Sequence, residues 1–214
     1  MEDTYLYKGL RQKLQAHIKS KGIKDQGVLE AINKVPRHLF VESFLHNRAY
    51  NDEPLPIGVG QTISQPYTVA FQTELLQVEK GDKILEVGTG SGYQAAVLLE
   101  LGAKVYTIER QRQLYNRTSI LLPKIGYRPQ FYYGDGYKGL PTYGPFNKII
   151  VTAGAPFIPK DLLRQLTIGG RMVIPLGDRA NQVMTLIVRK SEKEFEKKEY
   201  GNFIFVPLLK GTAN

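Results

Sequence analysis

The chain has 214 residues, 42% hydrophobic and 23% charged, and no cysteine; this suits one folded domain and excludes a disulfide scaffold, a cysteine nucleophile and thiolate metal sites. The formal net charge is +9, yet the basic residues are scattered, and the densest charged run, Arg189–Lys198, holds three glutamates, so it reads as a solvated hairpin or loop. The first residues lack the basic start and apolar core of a secretory signal, and no apolar run reaches the roughly 18 residues of a membrane span, so a cytoplasmic protein without membrane contact is expected.

In chain order, Leu6, Leu10, Leu14 and Ile18 recur at a spacing of four and predict an amphipathic helix over 4–20, ended by Gly22. A second helix is expected at about 25–34, with Val28, Leu29 and Ile32 on one face, stopping before Pro36. Residues 37–65 show no clear periodicity and are punctuated by Pro54, Pro56, Gly58 and Gly60; an irregular segment of this length is expected to be functional, with 54–65 forming part of a lid. From Pro66 onward helices and strands alternate. Helices are predicted at about 67–78, 92–101, 111–124 and 159–166. Strands are predicted at 83–87, 104–108, 129–133, 147–152, 171–176, 183–189 and 201–206. This pattern predicts an α/β fold, a doubly wound and mostly parallel sheet with an antiparallel hairpin at its end and an N-terminal helical extension. No linker divides the chain, so 1–214 reads as one domain, with 1–65 as helices and active-site segment and 66–214 as the sheet.

Gly88, Gly90 and Gly92 lie between a buried strand and a helix, where glycine permits a sharp turn and close approach of a ligand. The pattern is GxGxG rather than the GxGxxG of dinucleotide sites, and Glu86 on the preceding strand suits a ligand with a cationic end. Glu109 ends the second strand 17 residues after the turn, where a carboxylate can accept both hydroxyls of a ribose. Gly134-Asp135-Gly136 ends the third strand, and Asp135 can accept from an adenine amino group. Each feature alone is compatible with an ordinary turn or strand end. Together the three acidic positions converge on the crevice where α/β sheets bind ligands, and they point to an adenosine-bearing ligand. The three histidines, His17, His38 and His46, have no visible partner for a triad or a metal site, and no metal site is expected.

Leu85-Glu-Val-Gly-Thr-Gly-Ser-Gly-Tyr-Gln94 resembles the first motif of class I S-adenosylmethionine-dependent methyltransferases, which have a Rossmann-like sheet. Val35-Pro-Arg-His-Leu-Phe-Val41, Leu55-Pro-Ile-Gly-Val-Gly-Gln-Thr-Ile-Ser-Gln-Pro66, Gly134-Asp-Gly136, Ile149-Ile-Val-Thr-Ala153, Gln165-Leu-Thr-Ile-Gly-Gly170 and Ile174-Pro-Leu-Gly177 narrow the resemblance to the protein-L-isoaspartate O-methyltransferase family, over about residues 5–208. The resemblance implies methyl transfer from S-adenosylmethionine to the free carboxylate of L-isoaspartyl residues in damaged proteins, initiating repair through a succinimide. It implies Ser64 as the active-site residue, hydrogen-bonding the substrate carboxylate. Glu86, Gly88, Thr89, Gly90, Gly92, Glu109, Asp135 and Gly136 would hold the cofactor. Thr62 and Ile63 would line the substrate cleft, with Pro175, Leu176, Gln182 and Val206 shaping a peptide groove. Leu176 stands where the family often has valine, and Glu86 and Glu109 stand where it often has aspartate.

The bottom-up chemistry agrees, because a carboxylate acceptor is already ionised and needs no general base. Two alternatives stay open at this point. The basic charge suits a nucleic-acid methyltransferase, although Thr152-Ala-Gly-Ala-Pro156 stands where such enzymes carry an Asn/Asp-Pro-Pro-aromatic segment. A non-catalytic binding module is the other. The expected partners are isoaspartyl proteins and peptides rather than nucleic acid, and the expected state is a monomer.

Overall fold

The computed structural model describes residues 3–178 and 180–213. Helix α1 (Tyr5–Ser20) buries Leu14 and Ile18 but leaves Leu6 68% exposed, a departure from the predicted stripe. A strict spacing of four advances 40° per step on a 3.6-residue helix, so the first leucine has rotated off the buried face. Arg11 takes that place, buried and paired with Asp3 at 2.6 Å. Helix α2 (Gln26–Lys34) is capped by Asp25, which accepts from the Val28 N–H at 3.0 Å, and buries Val28, Leu29 and Ile32 as the sequence predicts.

The segment expected to be irregular is ordered. Two 3-10 turns at Arg37–Phe40 and Ser43–Leu45 lead to a hairpin of β1 (Leu55–Gly58) and β2 (Gln61–Ile63), with Leu55 opposite Ile63 and Pro56 opposite Thr62. Helix α3 (Pro66–Leu76) follows at once, with Pro66 in its first turn, where its missing N–H costs nothing. The Tyr67 N–H donates to the Asp52 carboxylate at 2.8 Å, so the helix start is tied to the segment before the hairpin.

The main sheet contains β3 (Lys83–Val87), β4 (Lys104–Glu109), β5 (Gln130–Tyr133), β6 (Phe146–Val151), β7 (Leu166–Gly177), β8 (Gln182–Arg189) and β9 (Phe195–Phe203), in the order β5-β4-β3-β6-β7-β8-β9. The first five in that order are parallel; β8 runs antiparallel to both β7 and β9. The charged run Arg189–Lys198 is the β8–β9 turn and the start of β9, as a solvated hairpin requires. Helices α4 (Tyr93–Glu100), α5 (Arg112–Lys124) and α6 (Lys160–Arg164) connect the parallel strands.

Alternation along the strands makes two cores. Ile84, Val105, Ile150 and Val173 face the side covered by α1–α5, whereas Leu85, Val87, Ile149 and Ile174 face the side of Leu140, Leu162 and Leu208. A one-residue slip would exchange these sets, so burial on both faces fixes the register. The order reverses between β3 and its neighbours β4 and β6, which opens a crevice at the carboxyl end of β3.

Candidate active site

The crevice is built first from the turn after β3. Gly88 and Gly92 have φ of +101° and +85°, and a Cβ there would stand 2.5 Å from Thr152 Oγ1 and 2.7 Å from Leu122 Cδ1. A side chain at either position would be strained and would also collide. Around Gly90 the nearest atom to such a Cβ is Ile57 Cδ1 at 3.4 Å, so the β1–β2 hairpin roofs the turn. Thr152, which sequence reasoning left without a role, donates to the carbonyls of Gly88 at 2.7 Å and Val87 at 3.0 Å and holds the turn from beneath.

Glu109 is where the sequence predicts, at the end of β4, and only 5% exposed. Its two carboxylate oxygens accept from the N–H groups of Gly90 at 2.9 Å and Gln111 at 2.8 Å. An ionised carboxylate has about four acceptor positions, so two remain for a diol in the cleft it lines. Glu109→Ala is therefore expected to lose charge-assisted bonds worth about 1.5–3 kcal/mol and to weaken adenosyl-ligand binding roughly ten- to a hundred-fold by calorimetry. It should also lower the melting temperature, since Gly90 and Gln111 lose their acceptor; unchanged affinity would remove Glu109 from the site.

Glu86 belongs to the lining of the cleft over the turn. Its carboxyl is fully buried, and burial pushes its pKa up to about 8, against the pull of the Thr107 hydroxyl and the Ala95 N–H. Oε2 accepts from Thr107 Oγ1 at 2.6 Å, and Thr107 in turn takes the Thr89 hydroxyl at 2.6 Å, so Thr89 holds this chain rather than presenting its hydroxyl freely.

Asp135 is also engaged differently. Its carboxylate accepts from the N–H groups of Tyr137 and Gly211, each at 2.9 Å, and it does not line the cleft, whereas Gly136 does. Asp135 thus anchors the segment after β9, which brings Leu208 and Leu209 to the cleft wall.

Pro175, Leu176 and Gln182 stand behind the wall and outside the lining of either cleft described here. The Pro175 carbonyl accepts from Ala155 at 2.9 Å, and Leu176 bridges Ala155. Gly154 then exchanges backbone bonds with Val206 and Leu208, at 2.8 and 2.7 Å. Gln182 is buried; it accepts from the Phe205 N–H at 2.7 Å and donates to the Asp178 carbonyl. Through these bonds the three residues hold the backbone that presents Val206.

Two clefts result, of about 820 Å³ and about 1380 Å³. The first runs over the glycine turn between Glu109 and the hairpin, and Tyr93 joins its lining. The second opens outward between Lys21, Tyr67, Phe71 and the 201–206 segment. Thr62, Ser64, Thr152 and Val206 belong to both linings, and Ile63 to the first. Ser64 stands where the clefts meet; its carbonyl is held by Arg37 at 2.9 Å, and its hydroxyl has no hydrogen-bond partner among the described residues. The histidines lie elsewhere: His38 stacks on Tyr7 with centroids 3.8 Å apart and meets the Tyr50 hydroxyl at 2.6 Å, and burial lowers its pKa to about 4. No group of three or more metal-ligating side chains occurs among the described residues.

A family model described as protein-L-isoaspartate(D-aspartate) O-methyltransferase matches residues 10–213. The chain belongs to that family. It is 61% identical over 210 residues to the protein-L-isoaspartate O-methyltransferase of Christiangramia forsetii, covering 98% of each chain, and 52% identical to that of Cytophaga hutchinsonii, covering 98% of this chain and 95% of the other. Among solved structures, a protein-L-isoaspartate O-methyltransferase superposes with a TM-score of 0.84 at 28% identity over 92% of this chain and 65% of the other. A second, a Plasmodium falciparum protein described as a protein-L-isoaspartate O-methyltransferase in complex with S-adenosyl-L-homocysteine, gives 0.79 at 26% identity over 94% and 98%. The family anticipated from the sequence motifs is thus shared along nearly the whole chain.

Proposed function

We propose that this chain transfers a methyl group from S-adenosylmethionine to the free carboxylate of L-isoaspartyl residues in damaged proteins and peptides, initiating their repair through a succinimide. The observation that carries the reading is the position of Ser64, with an uncommitted hydroxyl, where a ligand-sized cleft over the glycine turn opens into a second, outward cleft. Such a site brings a donor and a peptide together from opposite sides.

The donor, when bound, supplies an electrophilic sulfonium methyl. The residues fit it: Glu109 offers two free acceptor positions to a ribose, Gly90 adds no side chain beneath Ile57, and Gly136, Leu208 and Leu209 form the far wall. Ser64 donates its O–H to one oxygen of the acceptor and turns the other toward the methyl carbon. The donor, held by Glu109 and the glycine turn, would supply the methyl to that oxygen, its sulfonium becoming the neutral thioether of S-adenosylhomocysteine. No proton moves, since the acceptor has a reference pKa near 3.5–4. The rate then comes from proximity and orientation, with the β1–β2 hairpin acting as a lid that excludes water. Thr62 and Val206 line both clefts and Ile63 the first, while Asp135, Pro175, Leu176 and Gln182 hold the backbone behind them.

The direct test is methyl incorporation into an isoaspartyl peptide and its aspartyl twin. A misplacement of about 1 Å can cost on the order of a hundred-fold, so a preference at least that large is expected. Equal labelling of both peptides would refute the substrate assignment. The reading includes a cytoplasmic monomer with no nucleic-acid partner, checked by fractionation, size-exclusion chromatography and a salt-titrated gel shift.

A further inference from the structure

Arg37 is fully buried, and no carboxylate lies within ion-pair distance of it among the described residues. Its Nη2 donates to the carbonyls of Ser64 at 2.9 Å and Glu53 at 3.4 Å, while Nε and Nη1 have no partner. The guanidinium carbon lies 4.8 Å from the centroid of the Tyr93 ring, which lines the first cleft. A buried ion normally requires a counter-ion, because desolvation costs several kcal/mol. Tyr93 and then Asp52 favour its charged form, and the Asp52 carboxylate is already bonded to Lys21 at 2.6 Å and to the Tyr67 N–H at 2.8 Å.

We infer that Arg37 is a positioning residue for the acceptor: it fixes the Ser64 backbone and supplies a buried positive charge whose missing counter-ion is the carboxylate of the incoming isoaspartyl residue. The inference rests on the function proposed above. Covalent geometry keeps the Ser64 hydroxyl within one residue's span of the carbonyl that Arg37 holds, so the cation, although it lines neither cleft, is close to the place where the acceptor docks. Burial lowers the Arg37 pKa only to about 10, so it is charged at neutral pH. In a poorly screened interior such a charge selects for an anion with little sensitivity to salt. The aromatic face of Tyr93 partly satisfies the cation meanwhile.

The test compares binding of an isoaspartyl peptide with binding of its neutral amide analogue, in the presence of S-adenosylhomocysteine. The wild type should prefer the charged peptide by about ten-fold or more, and the preference should persist from 50 to 500 mM salt, on the order expected for a buried charge. In Arg37→Met the ratio should fall about ten-fold, and in Arg37→Lys it should be largely kept. A purely structural arginine would weaken both peptides equally and leave the ratio unchanged, which overturns the inference. A wild-type preference that collapses with salt also overturns it, and that arm needs no variant to fold. If the wild type methylates no isoaspartyl peptide at all, the function itself fails, an outcome separate from either of these.

Discussion

Ser64→Ala is expected to lower turnover roughly ten- to a thousand-fold, the range for losing one positioned donor together with the orientation it imposes. The structure makes this a clean substitution. Arg37 grips the Ser64 carbonyl, not its side chain, so alanine keeps the backbone bond at 2.9 Å and removes only the hydroxyl. That hydroxyl bonds to nothing among the described residues, so stability should change little. Affinity for S-adenosylmethionine should be nearly intact, because the donor site proposed above is built from Glu109 and the glycine turn and not from the Ser64 hydroxyl. Single-turnover methyl transfer and calorimetry on the same preparation separate the two effects. Full activity in the variant would mean that the acceptor is oriented by something else, and the assignment of Ser64 would fall.

What was legible in the sequence was local. The glycine turn, the strands beside it and Glu109 follow from turn chemistry and alternation over fewer than ten residues each, and the structure has them in place. The β1–β2 hairpin was not legible, because strands of four and three residues broken by Pro56 and Gly58 carry too little periodicity to register. Long-range partners were invisible for a different reason. Asp135 meets the N–H of Gly211, 76 residues away, and Gln182 at the start of β8 meets Phe205, 23 residues on and just past β9. A sequence shows that such a residue is present near a site, but not whether its side chain faces the ligand or the backbone behind it. The same holds for Arg37: the Val35–Val41 stretch supported the family resemblance, yet only the fold reveals that its arginine has no counter-ion among the described residues and holds the Ser64 carbonyl. The family resemblance could place Ser64 in the site, but not what holds it there.

Glu86→Gln should change the pH dependence of stability more than any other single substitution near the turn. The Glu86 carboxyl is 0% exposed, with one oxygen unpartnered and the other bonded to Thr107, and Glu109 adds like-charge repulsion; its pKa rises from the ordinary 4.5 to about 8. Below pH 4.5 folded and unfolded chains both hold the proton, so the shift costs nothing. Between 4.5 and about 8 the unfolded chain releases it and the folded chain retains it, so this group lowers stability steadily as pH rises. The slope is about 1.4 kcal/mol per pH unit, with a total on the order of 4 kcal/mol by pH 8. Glutamine carries no such titration. In urea unfolding without added donor, the variant should lie within about 1 kcal/mol of wild type at pH 5, the scale of one altered hydrogen bond. At pH 8.5 it should be the more stable by several kcal/mol, on the order set by the same linkage. A gap that does not grow with pH would mean that the carboxyl is ionised in the fold. The titration also bears on ligand binding, because Glu86 lines the cleft that would take a cationic donor. A nearby positive charge favours the carboxylate, so binding of S-adenosylmethionine near pH 7 should release a proton from wild type and none from Glu86→Gln. Calorimetry in two buffers of different ionisation enthalpy measures that release. Equal release from both proteins would assign the proton to another group.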